Sequence, residues 1–302
     1  MVGDKVLVVG SANLDFVFTT DRLPAAGETV MGTSFECQPG GKGANQAVAI
    51  AKLGGQVAFL GCVGSDNFGN QLRENLAVLR VNTDHLRTTN DAPSGTACIL
   101  VDRLGMNSIV VAPGANSCVE PSQVSLALAD QSYSVVLSQL EIPMDAVFAA
   151  SKTDQFILNP APARPIPKEI LVNCFALTPN ESELQYLTGI VPVDDDSCMR
   201  AGKSLLDLGV KNVIITLGER GSYWVSQNGG KHFLAPSVSA IDSTGAGDAF
   251  SGALAWFLAQ GRDLPKSISL ANYVGALATT KVGAQNSMPT LPELMVLAKE
   301  VY

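Results

Sequence analysis

The chain has 302 residues, 46% hydrophobic and 16% charged, enough to bury a large core as one big α/β domain with or without an insertion. A formal net charge of −8, with no basic block, argues against a nucleic-acid surface. It leaves nucleotide triphosphates open, since helix N-termini and magnesium neutralise phosphates locally. No apolar stretch is long enough to span a bilayer, and six scattered cysteines lack C-x-x-C spacing; no signal peptide is expected. The expectation is a cytoplasmic protein with reduced thiols and with neither a membrane nor a nucleic-acid partner.

In chain order, VLVVG at 6–10 opens as a buried strand. SANLD at 11–15 follows, and Asn13 and Asp15 alternate with apolar neighbours so that an amide and a carboxylate share one face. That pairing suits vicinal hydroxyls, although ordinary turn chemistry also uses these residues. NLDFVFTT at 13–20 and GETVMGTSFECQ at 27–38 show alternation and turn residues with little helical period. The stretch 95–116 behaves likewise, as two strands joined by a turn near Leu104 to Asn107. These segments predict a small β-sheet lid, about 13–38 and 95–114, inserted in a single domain over 1–302 that shows no repeat or linker.

PGGKGANQAVAIAKLGG at 39–55 is a glycine loop entering a helix whose apolar face is Ala44, Ala47, Val48, Ala51 and Leu53. Neither a Walker A sequence nor a G-x-G-x-x-G after the first strand is present, so the P-loop and dinucleotide fingerprints both fail. Gly40, Gly41 and Gly43 still let the backbone approach a small ligand, with Lys42 and Asn45 as hydrogen-bonding groups. A tight strand-to-helix turn with a solvated lysine would look the same.

Further apolar runs, VAFLGCV at 57–63, SVVLSQL at 134–140, QFILNPA at 155–161, FALTPN at 175–180 and VIITLG at 213–218, alternate with helical patterns. They predict a doubly wound, mostly parallel sheet with helices on both faces. Glu141 then sits at the carboxyl end of a strand, where open α/β sheets place ligands. TPNESE at 178–183 sets Asn180 and Glu183 three apart at a helix start, as a capping pair or as an outer-sphere magnesium and phosphate element. His85 and His232 are isolated and receive no function.

IDSTGAGDAFSGAL at 241–254 runs from a glycine loop into a helix with Phe250, Leu254, Phe257 and Leu258 at helical spacing. The N–H groups of Gly245, Ala246 and Gly247 lie at its N-terminus, a ready anion site. Asp248 beside them is either a first-turn acid stabilising the dipole or a base next to an oxyanion hole. Phosphoryl transfer needs such a base and such donors together.

Taken together, SANLD, GGKGANQA, the SQLE strand end, NPAPAR at 159–164, TPNESE, TLGERG at 216–221, DSTGAGDAFSGAL and KVGAQNSMP at 281–289 resemble the ribokinase-like carbohydrate kinases, in order and through nearly the whole chain. The resemblance implies a doubly wound α/β domain with a β-lid, phosphorylating a hydroxymethyl group with ATP and Mg2+. D-ribose is the leading acceptor, giving ribose 5-phosphate and ADP; 2-deoxyribose, fructose or a nucleoside are the alternatives, and a non-catalytic sensor a more remote one. It implies that Asp248 is the base and that Gly245, Ala246 and Gly247 form the anion hole. Asn13, Asp15, Gly41, Lys42, Asn45 and Glu141 fall on sugar-binding positions. Asn180 and Glu183 fall on the magnesium and phosphate element, Thr216, Gly218 and Gly221 on the nucleotide loop, and Asn272 on an adenine-side contact. Asp242, Thr244, Gly283 and Ser287 correspond to a site for an activating monovalent cation, K+. A homodimer through the lids is expected too, because the lid's apolar residues exceed what closure over one sugar would cover.

Overall fold

The computed structural model describes residues 4–299 and 301. The first half of the chain runs through β1 (Lys5–Val9), β2 (Asn13–Thr20), β3 (Gly32–Gly40), α1 (Lys42–Lys52), β4 (Gln56–Gly64), α2 (Asn67–Val78), β5 (Leu86–Thr89), β6 (Gly95–Asp102), β7 (Asn107–Ala112) and α3 (Pro121–Asp130). There follow β8 (Val135–Ser138), α4 (Met144–Ala150), β9 (Phe156–Leu158), α5 (Lys168–Leu171), β10 (Cys174–Leu177), α6 (Glu181–Thr188) and α7 (Asp195–Leu206). The chain closes with β11 (Val213–Thr216), β12 (Ser222–Ser226), β13 (Gly229–Phe233), α8 (Ala246–Ala259), α9 (Leu264–Ala278) and α10 (Leu291–Leu297).

The large sheet has the order β13-β12-β11-β10-β9-β8-β1-β4-β5. From β5 to β11 every pairing is parallel, and β12 and β13 extend that edge antiparallel. Its centre explains the near-continuous apolar runs: Val6, Leu7, Val8 and Val9 are all fully buried. Val6 and Val8 pack with α1, α8 and α9 on one face, Leu7 and Val9 with α3, α4 and α7 on the other. The edge strands β5 (LRTT) and β13 (GGKHF) lack that signature, and neither they nor β12 is visible as an apolar run.

β1 pairs with β4 on one side and with β8 on the other. The chain therefore winds first one way and then the other from β1, and a crevice opens beyond the carboxyl ends of β1 and β8. α8 crosses beside it, buried from Asp248 to Ala259, so its sequence is apolar all round.

The second sheet, β3-β2-β6-β7, is built from the segments that alternate in sequence, and β2 occupies 13–20 as expected. β3 begins at Gly32 instead of near 27. Phe16 stacks on Phe35 within this sheet and meets Phe68 of α2 edge-on, which fixes the lid's base to the main body. All six residues of β7 are exposed.

Candidate active site

Asp248 lies in the first turn of α8, whose N-cap Gly245 takes a left-handed φ of 77°. One turn further along, Gly252 lets α8 press against α1, because a Cβ there would lie 2.7 Å from the Gln46 carbonyl oxygen. That approach brings the carboxylate of Asp248 onto two amides of α1. Asn45 Nδ2 donates to Oδ2 and Gln46 Nε2 to Oδ1, each at 2.9 Å. Burial raises the pKa of Asp248, against the opposing pull of the Lys42 ammonium and of these amide donors.

A cleft opens in front of this carboxylate, lined by Lys42, Asn159, Ala161, Thr178, Asn180, Glu183, Thr216, Gly245, Gly247, Asp248 and Ser251. It unites residues from five separate stretches of the chain. Ala246 is not among the lining; its N–H donates to the Ser243 carbonyl at 3.2 Å, so Gly245 and Gly247 are the members of the expected trio that face the cleft. Burial by itself would lower Lys42, but Asp248, Glu141, Glu183 and Asp15 surround it and together hold its pKa above the ordinary value. A lone ammonium, two glycine backbones and a buried carboxylate can between them cradle a phosphoryl group and take a proton from a hydroxyl.

On the crevice side, Glu141 Oε2 accepts from Ser11 Oγ at 2.5 Å and from the Lys42 N–H at 3.2 Å. It thus ties β8, β1 and the N-terminus of α1 together, where the helix dipole favours an anion. Gly41 caps that helix at φ 87°. Asn13 Oδ1 accepts from Asn116 Nδ2 at 2.7 Å, and Asn116 in turn accepts from the Ala12 N–H. Asp15 reaches inward from β2, its pKa pushed up to about 7 by burial first, and then by the charges of Glu141 and Asp248, with Lys42 opposing. Lid and main body therefore meet in one cluster of carboxylates around one ammonium.

Asn180 and Glu183 form a complete capping box at α6. Asn180 Oδ1 accepts from the Glu183 N–H at 2.8 Å, and Glu183 Oε2 accepts from the Asn180 N–H at 2.9 Å. The same pair lines the cleft, so capping and cleft placement coexist. Thr216 also lines it, whereas Gly218 and Gly221 lie just outside, around a short 3-10 turn. Asn272 stands apart: its amide nitrogen donates to Ser222 Oγ and to the Phe233 carbonyl, and the side chain is buried between α9 and the β12–β13 edge.

Behind the anion loop, Asp242 Oδ1 accepts from the Thr244 N–H and Oγ1, and Oδ2 accepts from the Gly283 N–H at 2.8 Å. Burial would raise this carboxyl, but these donors outweigh it and hold the pKa below the ordinary value. Asp242, Thr244 and Gly283 are thus brought together, with Asp242 also capping the turn. The Ser287 hydroxyl donates within its own loop to the Ala284 carbonyl.

Gln46, Asn116, Asn159 and Ser251 are parts of this assembly that no motif reading singles out. Gln46 and Asn159 do lie inside the quoted GGKGANQA and NPAPAR segments, and Gly252 is the local signal that α8 must approach another backbone closely.

Known proteins resemble this chain along nearly its whole length. The pfkB family carbohydrate kinases match residues 4–291. The ribokinase of Bacillus subtilis (strain 168) is 40% identical over 298 residues, 96% of this chain and 98% of its own. The deoxyribokinase of Salmonella typhi is 36% identical over 296 residues, 95% of this chain and 96% of its own. The structure of Arabidopsis thaliana ribokinase complexed with ribose and ATP superposes with a TM-score of 0.87 at 32% identity, covering 99% of each chain. With its doubly wound sheet, its lid and its carboxylate at the head of α8, the chain belongs to the pfkB family of carbohydrate kinases.

Proposed function

We propose that this chain transfers the γ-phosphoryl group of ATP to the 5-hydroxyl of D-ribose, giving D-ribose 5-phosphate and ADP. One observation carries the mechanism: a buried carboxylate, Asp248, is held by two amide donors at the head of a helix, in a cleft that also holds Lys42 and the Gly245 and Gly247 backbones. Asp248 takes the hydroxyl proton as the oxygen attacks. Lys42 and the glycine N–H groups of the anion loop offset the charge on the transferred group, and the remaining work is positioning. Asn13, Asp15, Gly41, Asn45 and Glu141 bind the sugar hydroxyls, Asp15 from the lid, and closure excludes water as a rival nucleophile. Asn180, Glu183, Thr216, Gly218 and Gly221 serve the nucleotide. Asn272 acts on the adenine side indirectly, by fixing the β12–β13 edge.

Among the described residues no group of three or more His, Cys, Asp or Glu could cage a metal. Asn180 and Glu183, which line the cleft, are the residues that would serve a magnesium brought in with ATP. When bound, magnesium neutralises phosphate charge. Asp242, Thr244, Gly283 and Ser287 are the residues that would hold a monovalent cation such as K+, which would stiffen the anion loop.

The lid supports a homodimer, since Phe35, Ile109 and Val110 are more than half exposed on a single-layer sheet. Among the described residues no helix is long and apolar enough to cross a membrane. The cytoplasm is the location we propose. The deoxyribokinase relative makes 2-deoxyribose the acceptor to set against ribose. ADP release measured over a panel of pentoses and hexoses decides: ribose should give the highest kcat/KM, and a higher value for 2-deoxyribose or fructose would replace it.

A further inference from the structure

Asp248 does not meet its amide donors singly. Gln46 Nε2 gives one hydrogen to Asp248 Oδ1 at 2.9 Å and the other to Asn159 Oδ1 at 3.1 Å. Gln46 Oε1 accepts from Gln139 Nε2 at 2.5 Å, and Asn159 Nδ2 donates to the Thr178 carbonyl at 3.1 Å. Gln46 and Gln139 are fully buried, and Asn159 nearly so. The direction of this chain is forced from one end. A backbone carbonyl can only accept, so Asn159 must turn its NH2 to Thr178 and its oxygen to Gln46. Gln46 must then present its NH2 to both Asn159 and Asp248, and its oxygen to Gln139. A donor is therefore locked against Oδ1, and a proton added to that oxygen would point at an N–H.

The fold makes room for this arrangement at a cost. A Cβ on Gly10 would lie 2.1 Å from Gln139 Oε1, an oxygen that is itself buried without a hydrogen-bond partner. An apolar residue at 139 would avoid that orphan acceptor, whose lost hydration is not repaid. The glutamine is instead used to hold Gln46.

We infer that Gln46, oriented by Asn159 and Gln139, is a positioning residue that keeps the carboxylate of Asp248 aimed and proton-free between turnovers. This rests on the reading of Asp248 as the base. The groups facing Asp248 are Lys42 on α1, Glu141 after β8, Asp15 on β2 and Glu183 on α6; three of the four are carboxylates that favour its protonation. The Gln46 donor acts with Lys42 and Asn45 against them. Without it, the base carries a proton at a pH where the wild-type base is free.

The test is kcat against pH at saturating sugar and ATP for the wild type, Gln46→Met, Gln139→Met and Asp248→Asn. Saturation matters because kcat reports groups in the complex, which removes sugar-binding titrations from the profile. Gln46→Met should lower kcat about 10- to 100-fold, leave KM for the sugar within about threefold, and move the acid limb up by about one pH unit. Gln139→Met leaves both direct bonds to Asp248 in place and should show the same shift at smaller size. A merely structural role would lower Tm in both variants and move the acid limb in neither; that result overturns the inference. Should Gln46→Met fail to fold, Gln139→Met decides by the same criterion. Asp248→Asn separates the two readings. Its turnover within a few-fold of wild type would overturn the base assignment and the positioning role with it, whereas its inactivity beside an unmoved limb in Gln46→Met overturns the positioning role alone.

Discussion

Around Asp248 both carboxylate oxygens meet buried donors, and those donors meet further partners, whereas along β7 six successive residues face solvent with apolar Ile109, Val110 and Val111 among them. The α1–α8 contact is therefore complete before any ligand arrives. The lid is a single layer whose coverage must come from closure or from another molecule. Preorganisation belongs where charge changes during the reaction, because a dipole already in place needs no rearrangement at that moment. Specificity and exclusion of water tolerate a part that moves.

This contrast can be broken most sharply at the base. Asp248→Asn keeps the shape of the side chain and should lower kcat by roughly 10²-fold or more, with KM for the sugar little changed. Wild-type-like turnover would show that the prepared carboxylate is only a helix-capping acid.

A large effect is also expected at Asp15, which joins the two regions. Asp15→Ala should raise KM for ribose by roughly tenfold or more, since hydroxyls are left unpaired in a desolvated site. Burial pushes the carboxyl up to about 7 from an ordinary 3.8, so it is ionised above that pH, the form in which it is proposed to accept sugar hydroxyls. As pH falls through 7 it takes up a proton, and KM should rise toward about tenfold per unit. Stability of the free protein follows the opposite sign. A raised carboxyl favours the fold at low pH and withdraws that contribution as pH rises from 3.8 through 7. An Asp15→Asn enzyme whose KM keeps the wild-type pH dependence would remove Asp15 from this role.

The cation loop should give a smaller change. Replacing sodium or a bulky organic cation by potassium at constant ionic strength should raise turnover several-fold, and Asp242→Ala should abolish the rise. Indifference of the wild-type enzyme would leave Asp242 as a turn-capping residue joined to Gly283.

The smallest effect on chemistry belongs to the outer lid. Val110→Lys places charge on a residue that is 72% exposed. It should shift a dimer toward monomer in sedimentation while kcat changes by less than about twofold, since the residue is remote from the cleft. A wild-type protein that sediments only as monomer at micromolar concentration would show that the lid needs no partner.

What could be read from the residues alone follows from local periodicity and from glycine. Strands buried on both faces must be apolar throughout, so β1, β4, β8 and β11 announce themselves, and the alternation over 13–20 and 95–116 marks the lid strands. The glycine loop before α8 and its following acid are likewise local, because a helix N-terminus is an anion site wherever it sits. Edge strands β5 and β13 escaped this logic, having a half-covered environment and polar residues. Only the tertiary structure decided which amides meet Asp248, that the Ala246 N–H turns to Ser243, and that Asn272 braces a strand edge. Gln46 and Asp248 are 202 residues apart, and a glutamine has neither the periodicity of an apolar residue nor the charge of an acid to reveal its partner. Its role is set by the close approach of two helices at Gly252, and by a chain of donors that ends on a backbone carbonyl.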